Sequence, residues 1–280
     1  MCSNYEPVTA SDRLLAHFGV VRPRGVESPQ YAGPTGVAPI ILGAAGKTQL
    51  KEAHSALYGL LPDWAQDTGF GRSTYNCRSE TVGEKPAFKD AWRKGQRCLI
   101  PVEGINEWCY ETGEAVKWSI RRSDGLPMAL AGIWNVWVSP AGEEVLSYSM
   151  LTVSAKGHAI FERMHAPDRE KRMPIILPDE DQEAWLNGSW ADAARFFVQF
   201  PADLLTAAPA AGPRKQPKAK PTRPDDMFAD EWRQAAKAQP RTTRRPASPR
   251  KPPQSPPIQR RRMAISSAER RTVRARVDDR

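Results

Sequence analysis

The sequence lacks the features of several large classes of protein. None of its apolar runs approaches the roughly 18 residues that a membrane-spanning helix needs. Its first residues, MCSNYEPV, contain no charged segment followed by an apolar one, so they do not form a signal peptide. We therefore expect a cytoplasmic protein that has reduced thiols and makes no contact with a membrane.

Motifs for metal and nucleotide binding are also missing. The four cysteines, at positions 2, 77, 98 and 109, form no CxxC pair, and their spacing fits no zinc site. The stretch GAAGKT has Ile41 where a phosphate-binding loop needs a glycine, five positions before Gly46. We interpret it as a glycine-rich turn between strands. The sequence thus predicts neither a metal ion nor another cofactor.

Positive charge is concentrated at one end of the chain. Residues 207–280 contain 20 of the 41 Lys and Arg and 7 of the 32 Asp and Glu, which gives this segment a net charge of +13. The remaining 21 basic and 25 acidic residues give residues 1–206 a net charge of −4. The segment is also rich in Pro, Ala and Ser, so it cannot bury a core. We predict a folded domain over residues 2–206 and a disordered tail over 207–280 that contacts DNA or replication proteins.

The middle of the chain has the pattern of an antiparallel sheet. Five apolar segments have strand composition, namely residues 37–42, 97–102, 116–121, 128–137 and 145–153. The turn sequences RSDGLP and SPAGEE predict hairpins that join the last three of these strands. We expect an α+β domain in which a curved, barrel-like and mainly antiparallel sheet is surrounded by a few peripheral helices.

Cys2 offers the most distinctive chemistry in the sequence. An aminopeptidase removes Met1 when the next residue is small, which leaves Cys2 with a free α-amine beside its own thiol. The ordinary pKa values of these groups, about 7.7–8.0 and about 8.5, make both partly nucleophilic near neutrality. An aldehyde can form an imine with the amine, and the thiol can then close a five-membered thiazolidine ring. Taken alone, an accidental cysteine at a frayed terminus is the simpler interpretation.

Two later stretches place polar residues where a site needs them. In YNCRSET, alternation along a strand puts Asn76, Arg78 and Glu80 on one face, which is either a solvated edge or the wall of a site. Glu107 lies just past the end of the apolar strand 97–102. Desolvation there would raise its pKa and suit it to proton transfer, whereas the alternative is an ordinary exposed glutamate.

Together these stretches resemble the SOS-response-associated peptidase family over roughly residues 2–200. The resemblance is carried by ordered motifs: the MC start, GVAP, YGLLPDWA, NCRSET, CLIPVEGINEW and a histidine-containing segment before RMPIIL. It implies a protein that captures abasic sites in single-stranded DNA and protects the lesion during replication or SOS repair. The family's amino-terminal cysteine forms a thiazolidine crosslink with the ring-opened sugar, and lyase activity is a further expectation.

The resemblance also implies a role for each matching residue. Cys2 is the nucleophile, and Asn76 holds its amine and the sugar. Glu107 shuttles protons, and His165 assists opening of the sugar ring. The residues expected to contact the DNA are Arg78, Trp64, Trp108 and Arg172.

The sequence departs from the family pattern in three places, one of which is Tyr58, where the family commonly has Trp. Ser3 and Asn4 stand where the family has Gly and Arg, and residues 166–171 intervene between His165 and the RMP motif. His158 is the alternative candidate for the histidine. Two other functions stay open, an amino-terminal-cysteine peptidase or amidohydrolase and a non-covalent single-stranded DNA-binding protein. We expect a monomer that works at the nucleoid.

Overall fold

The computed structural model of the chain describes residues 3–21, 29–43, 51–189 and 192–210. Cys2 lies outside the described residues. Of the tail predicted over 207–280, only residues 207–210 are described, and 207–209 of these belong to a strand that pairs with residues 118–120. Within the described ranges, no helix is both long enough and apolar enough to span a membrane.

A single sheet dominates the described part of the chain. Its strands are, in chain order, β1 (Asn4–Pro7), β2 (Val37–Leu42), β3 (Glu52–Tyr58), β4 (Asn76–Arg78), β5 (Arg97–Cys109), β6 (Val116–Arg122), β7 (Met128–Val138), β8 (Glu144–Ser154), β9 (Arg172–Pro174), β10 (Ile176–Leu177) and β11 (Leu205–Pro209). Strands β7, β8, β3, β2 and β5 pair in a closed ring, in which only the β3–β8 pairing is parallel. The prediction of a curved, barrel-like and mainly antiparallel sheet is confirmed.

The helices are short and lie outside the barrel. They are α1 (Ser11–Arg13), which continues into a π-helical turn over Leu14–Phe18, α2 (Lys89–Arg93) and α3 (Gln182–Asn187). Gly19 ends the first of them with a φ of 70°, a left-handed conformation that favours glycine. These helices cover the sheet from outside, as α2 packs against β7 and α3 packs against β5.

Aliphatic side chains and a group of tyrosines fill the interior. Tyr58 stacks on Tyr148 with 5.1 Å between the ring centroids, and the hydroxyls of Tyr5 and Tyr148 are in contact. All three tyrosines are fully buried. Because Tyr5 belongs to β1, this contact ties the first strand of the chain into the barrel core.

Strand β5 is longer than the sequence predicts. We expected a strand over 97–102 with Glu107 beyond its end, but β5 runs from Arg97 to Cys109. Its first half pairs with β7, while its second half lies between β1 and β6. β1 and β6 therefore provide hydrogen-bond partners for the backbone of the second half of β5, where its polar residues lie. Glu107 thus lies inside the strand rather than after it.

One of the two predicted hairpins is confirmed and the other is wrong. SPAGEE joins β7 to β8, which pair antiparallel from Gly132–Met150 to Val138–Glu144. RSDGLP joins β6 to β7, but these strands do not pair with each other. Both pair with β5, one with each half of it. A turn sequence specifies that the chain reverses, but it does not specify which strand the chain meets next.

Candidate active site

Two pockets adjoin the second half of β5 and the end of β4. The first, which we call the acid–base pocket, has a volume of about 640 Å³ and is lined by Arg78, Glu107, Trp108, Tyr110, His165, Arg172 and residues of the loop 166–170. The second, which we call the aromatic pocket, has a volume of about 370 Å³, and Trp64, Phe70, Asn76 and Arg78 are among its lining residues. Arg78 borders both pockets, so the sequence-predicted residues with described positions all lie in one connected region.

Glu107 and His165 form a buried pair in the acid–base pocket. Only 3% of the Glu107 side chain and 7% of the His165 side chain are exposed, and Glu107 Oε2 lies 3.2 Å from His165 Nε2. The angles between the two groups are not those of an aligned hydrogen bond. Glu107 Oε1 and His165 Nδ1 are also buried without a hydrogen-bond partner among the described residues. Buried polar groups are seldom left in this condition, so the pair has spare capacity to form hydrogen bonds with a ligand.

The backbone places His165 against Glu107 in an unusual conformation. His165 has a φ of 66°, in the left-handed region that residues other than glycine seldom occupy. Its N–H donates to the carbonyl of Trp108 at 2.7 Å, which attaches the loop to β5 next to Glu107. The Lys171 ammonium then donates to the carbonyls of Met164, His165 and Ala166 at 2.8, 2.8 and 3.1 Å. The loop that intervenes after His165 therefore fixes the position of this histidine.

His158, the alternative histidine, lies elsewhere and has a complete set of partners. It is 4% exposed, and its Nε2 lies 2.9 Å from the carbonyl oxygen of Phe200. Its Nδ1 accepts from the N–H groups of Ile160 and Phe161 at 3.2 and 3.1 Å. These contacts hold a turn together, so the structure brings His165 to Glu107 and leaves His158 in a packing role.

The short strand β4 carries Asn76 and Arg78. It pairs parallel to β8, with Asn76 opposite Met150 and Arg78 opposite Thr152. Because alternate residues of a strand share a face, both side chains point toward the pockets while Cys77 between them is buried. The strand is shorter than predicted, since Ser79–Thr81 form a 3-10 turn, yet Glu80 remains on the exposed side.

The described cysteines are unsuited to nucleophilic attack. Cys77, Cys98 and Cys109 are all buried and free of disulfides. Burial raises the pKa of the Cys77 and Cys98 thiols far above the ordinary value, so both stay protonated near neutrality. Within the described residues, no three His, Cys, Asp or Glu side chains lie close enough to hold a metal ion.

A set of ion pairs, which we call the arginine network, adjoins the acid–base pocket. It consists of Arg78, Arg172, Glu80 and Glu170. Arg172 is only 2% exposed, and its two terminal nitrogens pair with Glu80 at 2.7 Å and Glu170 at 2.8 Å. Glu170 also lies 2.5 Å from Arg78, whose side chain is 50% exposed. Arg172 is therefore enclosed by carboxylates, and Arg78 is the arginine that faces solvent.

The network shifts the pKa values of its members. Burial of Arg172 acts to lower its pKa, but hydrogen bonds to Glu80 and Glu170 outweigh that effect and leave the pKa raised. Partial burial acts to raise the pKa of Glu80, but the hydrogen bonds from Arg172 dominate and lower it. Both shifts favour the charged forms, so the ion pairs persist at neutral pH.

Two tryptophans present large exposed faces beside the pockets. Trp64 is 51% exposed and packs edge-on against Phe70, with 4.9 Å between the ring centroids. Trp108 follows Glu107 in β5 and points to the other face of the strand, where it is 47% exposed. Exposed aromatic faces of this size suit the stacking of nucleic-acid bases.

Strand β1 enters the sheet beside the acid–base pocket. Its first residue, Asn4, pairs with Asn106, the neighbour of Glu107. The Asn4 side-chain oxygen accepts from Asn106 Nδ2 and Lys117 Nζ, each at 3.1 Å. This end of β1 is therefore anchored at the edge of the pocket. Cys2, the predicted nucleophile, lies outside the described residues.

Three residues of the site were not predicted from the sequence. Glu170 completes the arginine network, Lys171 holds the carbonyls around His165, and Tyr110 lines the acid–base pocket. The dense alternation of charge in DREKR was the available signal for the first two. Their partners could not be identified from the sequence, because the loop meets β4 and β5 only through the tertiary fold.

Comparisons with known proteins show similar folds and related sequences. Among solved structures, a protein from Bordetella bronchiseptica superposes with a TM-score of 0.70 at 32% identity, covering 75% of this chain and 100% of that one. A protein from Bacteroides thetaiotaomicron has the same fold, with a TM-score of 0.65 at 24% identity, covering 75% of this chain and 93% of that one.

Similar sequences carry a functional name. The abasic site processing protein YoqW of Bacillus subtilis is 28% identical over 191 residues, which cover 67% of this chain and 80% of that protein. The abasic site processing protein HMCES of Rattus norvegicus is 30% identical over 184 residues, which cover 54% of this chain and 50% of that protein. Residues 1–211 match the model of the SOS response associated peptidase (SRAP) family. With three quarters of its length matched, the chain belongs to that family.

Proposed function

We propose that this protein processes abasic sites in single-stranded DNA by forming a covalent thiazolidine crosslink through Cys2, after removal of Met1. The observation that carries the proposal is the buried Glu107–His165 pair, which keeps polar atoms available beside the anchored start of β1. Membership of the SRAP family and the names of its relatives support abasic DNA as the substrate.

The reaction needs proton transfers and no oxidant. The abasic sugar opens from a cyclic hemiacetal to an aldehyde, and His165 assists by exchanging protons with the ring oxygen and hydroxyl. The Cys2 amine adds to the aldehyde carbon, after which Glu107 returns a proton to the departing hydroxyl so that water leaves and an imine forms. The Cys2 sulfur then adds to the imine carbon, and its proton passes to the nitrogen. One C–N bond and one C–S bond form, and one water molecule is released.

The remaining site residues bind the strand in this proposal. Asn76 holds the amine and the sugar, and Arg78 contacts a phosphate from its exposed position between the two pockets. Trp64 and Trp108 offer faces to neighbouring bases. An abasic nucleotide has no base to unstack, which lowers the cost of bringing its sugar to Glu107. Arg172, enclosed by Glu80 and Glu170, orders the wall that carries Arg78.

The wider setting follows from the same proposal. The protein acts as a monomer at the nucleoid and shields the lesion during replication or SOS repair. The segment 207–280, with its net charge of +13, adds salt-sensitive contacts to DNA or to replication proteins. Lyase activity at the captured sugar is a secondary expectation.

Denaturing electrophoresis tests the proposal directly. The mature protein is mixed with single-stranded DNA that carries one abasic site, and mass spectrometry first establishes that Cys2 is the amino-terminal residue. We expect a heat-stable, slowly migrating band with wild type and abasic DNA, and no such band with Cys2→Ala or with intact DNA. Absence of the band from wild type with Met1 removed would instead favour an amidohydrolase or a non-covalent DNA-binding protein.

A further inference from the structure

The carboxylate of Glu170 lies between two arginines. Its Oε2 is 2.5 Å from a terminal nitrogen of Arg78, and its Oε1 is 2.8 Å from a terminal nitrogen of Arg172. Each carboxylate oxygen is thus taken by a different guanidinium. Two guanidinium groups around one oxyanion form the arrangement by which proteins commonly bind phosphate.

This carboxylate belongs to the loop that separates His165 from Arg172. Lys171 fixes one end of the loop through its three carbonyl contacts, and Arg172 anchors the other in the barrel wall. Glu170 is consequently held close to Arg78 when no ligand is bound. The pair is nevertheless half-exposed, with 50% of the Arg78 side chain and 46% of the Glu170 side chain accessible. Exposed ion pairs of this kind contribute about 0–1 kcal/mol, so a competing anion can replace one partner.

We propose that Glu170 is a specificity-determining residue that occupies the position of a DNA phosphate on Arg78 and Arg172. A bound strand must displace the carboxylate before its own phosphate reaches the two guanidinium groups. The two arginines and two glutamates of the network carry no net charge together, so the free site attracts intact strands weakly. The proposal rests on the proposed function for the identity of the ligand.

The consequence concerns selectivity between damaged and intact DNA. Both kinds of strand meet the same cost of displacing Glu170, since both carry phosphates. Only an abasic strand can offset this cost by forming covalent bonds inside the pocket. An intact strand lacks an aldehyde and dissociates. The carboxylate therefore limits unproductive binding to undamaged single strands.

The test measures reversible binding of the full-length protein to a fluorescently labelled, intact single-stranded oligonucleotide by fluorescence anisotropy. We expect Glu170→Gln to tighten binding by roughly 3- to 10-fold at low salt, and the gain to shrink as salt rises, because one more cation is free for a phosphate. Glu170→Asp shortens the side chain, so it cannot span both arginines and should give a smaller gain. Thermal melting checks that each variant is folded.

Glu162→Gln is the matched control. It removes the same charge, but Glu162 is exposed, does not line the acid–base pocket and belongs to no ion pair with Arg78 or Arg172. We expect it to change affinity less than about twofold, as a screened surface charge does. Equal gains from Glu162→Gln and Glu170→Gln would overturn the proposal in favour of a general effect of net charge.

A second arm uses Arg78→Ala. In that background, Glu170→Gln should lose most of its gain, since the cation that it releases is gone. A gain that persists unchanged without Arg78 would overturn displacement from that residue, as would the absence of measurable binding in every variant. Intact DNA cannot crosslink, so this assay is independent of the thiazolidine chemistry. If wild type fails to crosslink abasic DNA while Glu170→Gln still binds intact DNA more tightly than wild type does, the proposed function alone is refuted.

Discussion

The Glu107–His165 pair and the arginine network both adjoin the acid–base pocket, but they differ in how their polar atoms are paired. Glu107 and His165 are buried and retain polar atoms without hydrogen-bond partners among the described residues. In the network, Arg172 is just as buried, yet both of its terminal nitrogens are paired with carboxylates. Burial alone therefore does not determine whether a polar side chain has a full set of partners.

The buried atoms of Glu107 and His165 that lack a partner among the described residues lower the stability of the folded protein. A buried polar atom without a partner costs roughly 1–3 kcal/mol, and such a cost persists where a ligand or a proton is to be received. In the arginine network, both terminal nitrogens of Arg172 are paired with carboxylates, so its ion pairs stabilise this part of the pocket lining. We therefore expect substitutions of Glu107 and His165 to change mainly the reaction rate, and substitutions in the arginine network to change mainly the stability.

Glu107→Gln should have the largest effect, and it acts on rate. The amide keeps the shape of the side chain but cannot exchange protons, so we expect covalent capture of abasic DNA to slow by about 10²- to 10⁴-fold. The free energy of unfolding should change by less than about 1 kcal/mol, because no hydrogen bond to Glu107 Oε1 from a described residue is lost. Single-turnover crosslinking and urea unfolding measure the two quantities.

The matched control for this variant is Glu103→Gln in the same strand. Glu103 is bonded to Arg13 by contacts of 2.7 and 2.9 Å and does not line the pocket. We expect Glu103→Gln to leave the rate of capture unchanged. Similar rates for Glu107→Gln and wild type would remove Glu107 from the proton-transfer role.

His165→Asn should come next, with capture slowed by about 10²-fold. Asparagine tolerates the left-handed backbone at this position better than most residues, so the loop should keep its conformation. His165→Val also lacks the imidazole but is branched at Cβ, and we expect it to lose about 1–2 kcal/mol more in the free energy of unfolding. If both variants crosslink at the wild-type rate, His165 only supports the loop.

Arg172→Met should reverse this pattern by acting mainly on stability. It leaves Glu80 and Glu170 without their buried partner, and because both carboxylates are about half-exposed and remain solvated, we expect a cost of about 1–2 kcal/mol in urea unfolding at neutral pH. The comparison is Arg163→Met, since Arg163 pairs with Glu111 at the surface and should cost less than about 1 kcal/mol. Equal costs for the two variants would mean that burial adds nothing to the arginine network.

Wild type and Arg172→Met should also differ in how acid changes their free energy of unfolding. The folded-state pKa of Glu80 lies below its ordinary value of 4.5, so the stability that Glu80 contributes is complete above about pH 4.5 and is lost as the pH falls through the lower folded-state value. Arg172→Met removes the main cause of that shift. We therefore expect the variant to show a weaker loss of stability between neutral and acidic pH than wild type.

The sequence predicted the barrel and most of the pocket, because their signals are local. Apolar strand segments indicated β2, β7 and β8, and alternation in YNCRSET correctly placed Asn76 and Arg78 on one face. Ordered motifs identified Glu107, Trp108 and His165, which the fold brings to one pocket although they lie far apart in the chain from Arg78.

What could not be predicted depends on partners distant in sequence. The extension of β5 to Cys109 requires β1 and β6 on its two edges, and no local pattern reports their presence. The enclosure of Arg172 depends on Glu80, which is 92 residues away. The position of Glu170 on Arg78 requires both the loop and the barrel wall.

The pairing of β1 with β5 also has a consequence for biosynthesis. Asn4 and Asn106 are 102 residues apart in sequence, so the first strand has no strand to join until the fifth leaves the ribosome. At translation rates of about 5–20 residues per second, that wait lasts on the order of 5–20 s. Throughout it, β1 lacks the strand with which it pairs in the fold. In the proposed function, an aminopeptidase can therefore act on Met1 before β1 joins β5, an order that follows from the spacing of the two strands along the chain.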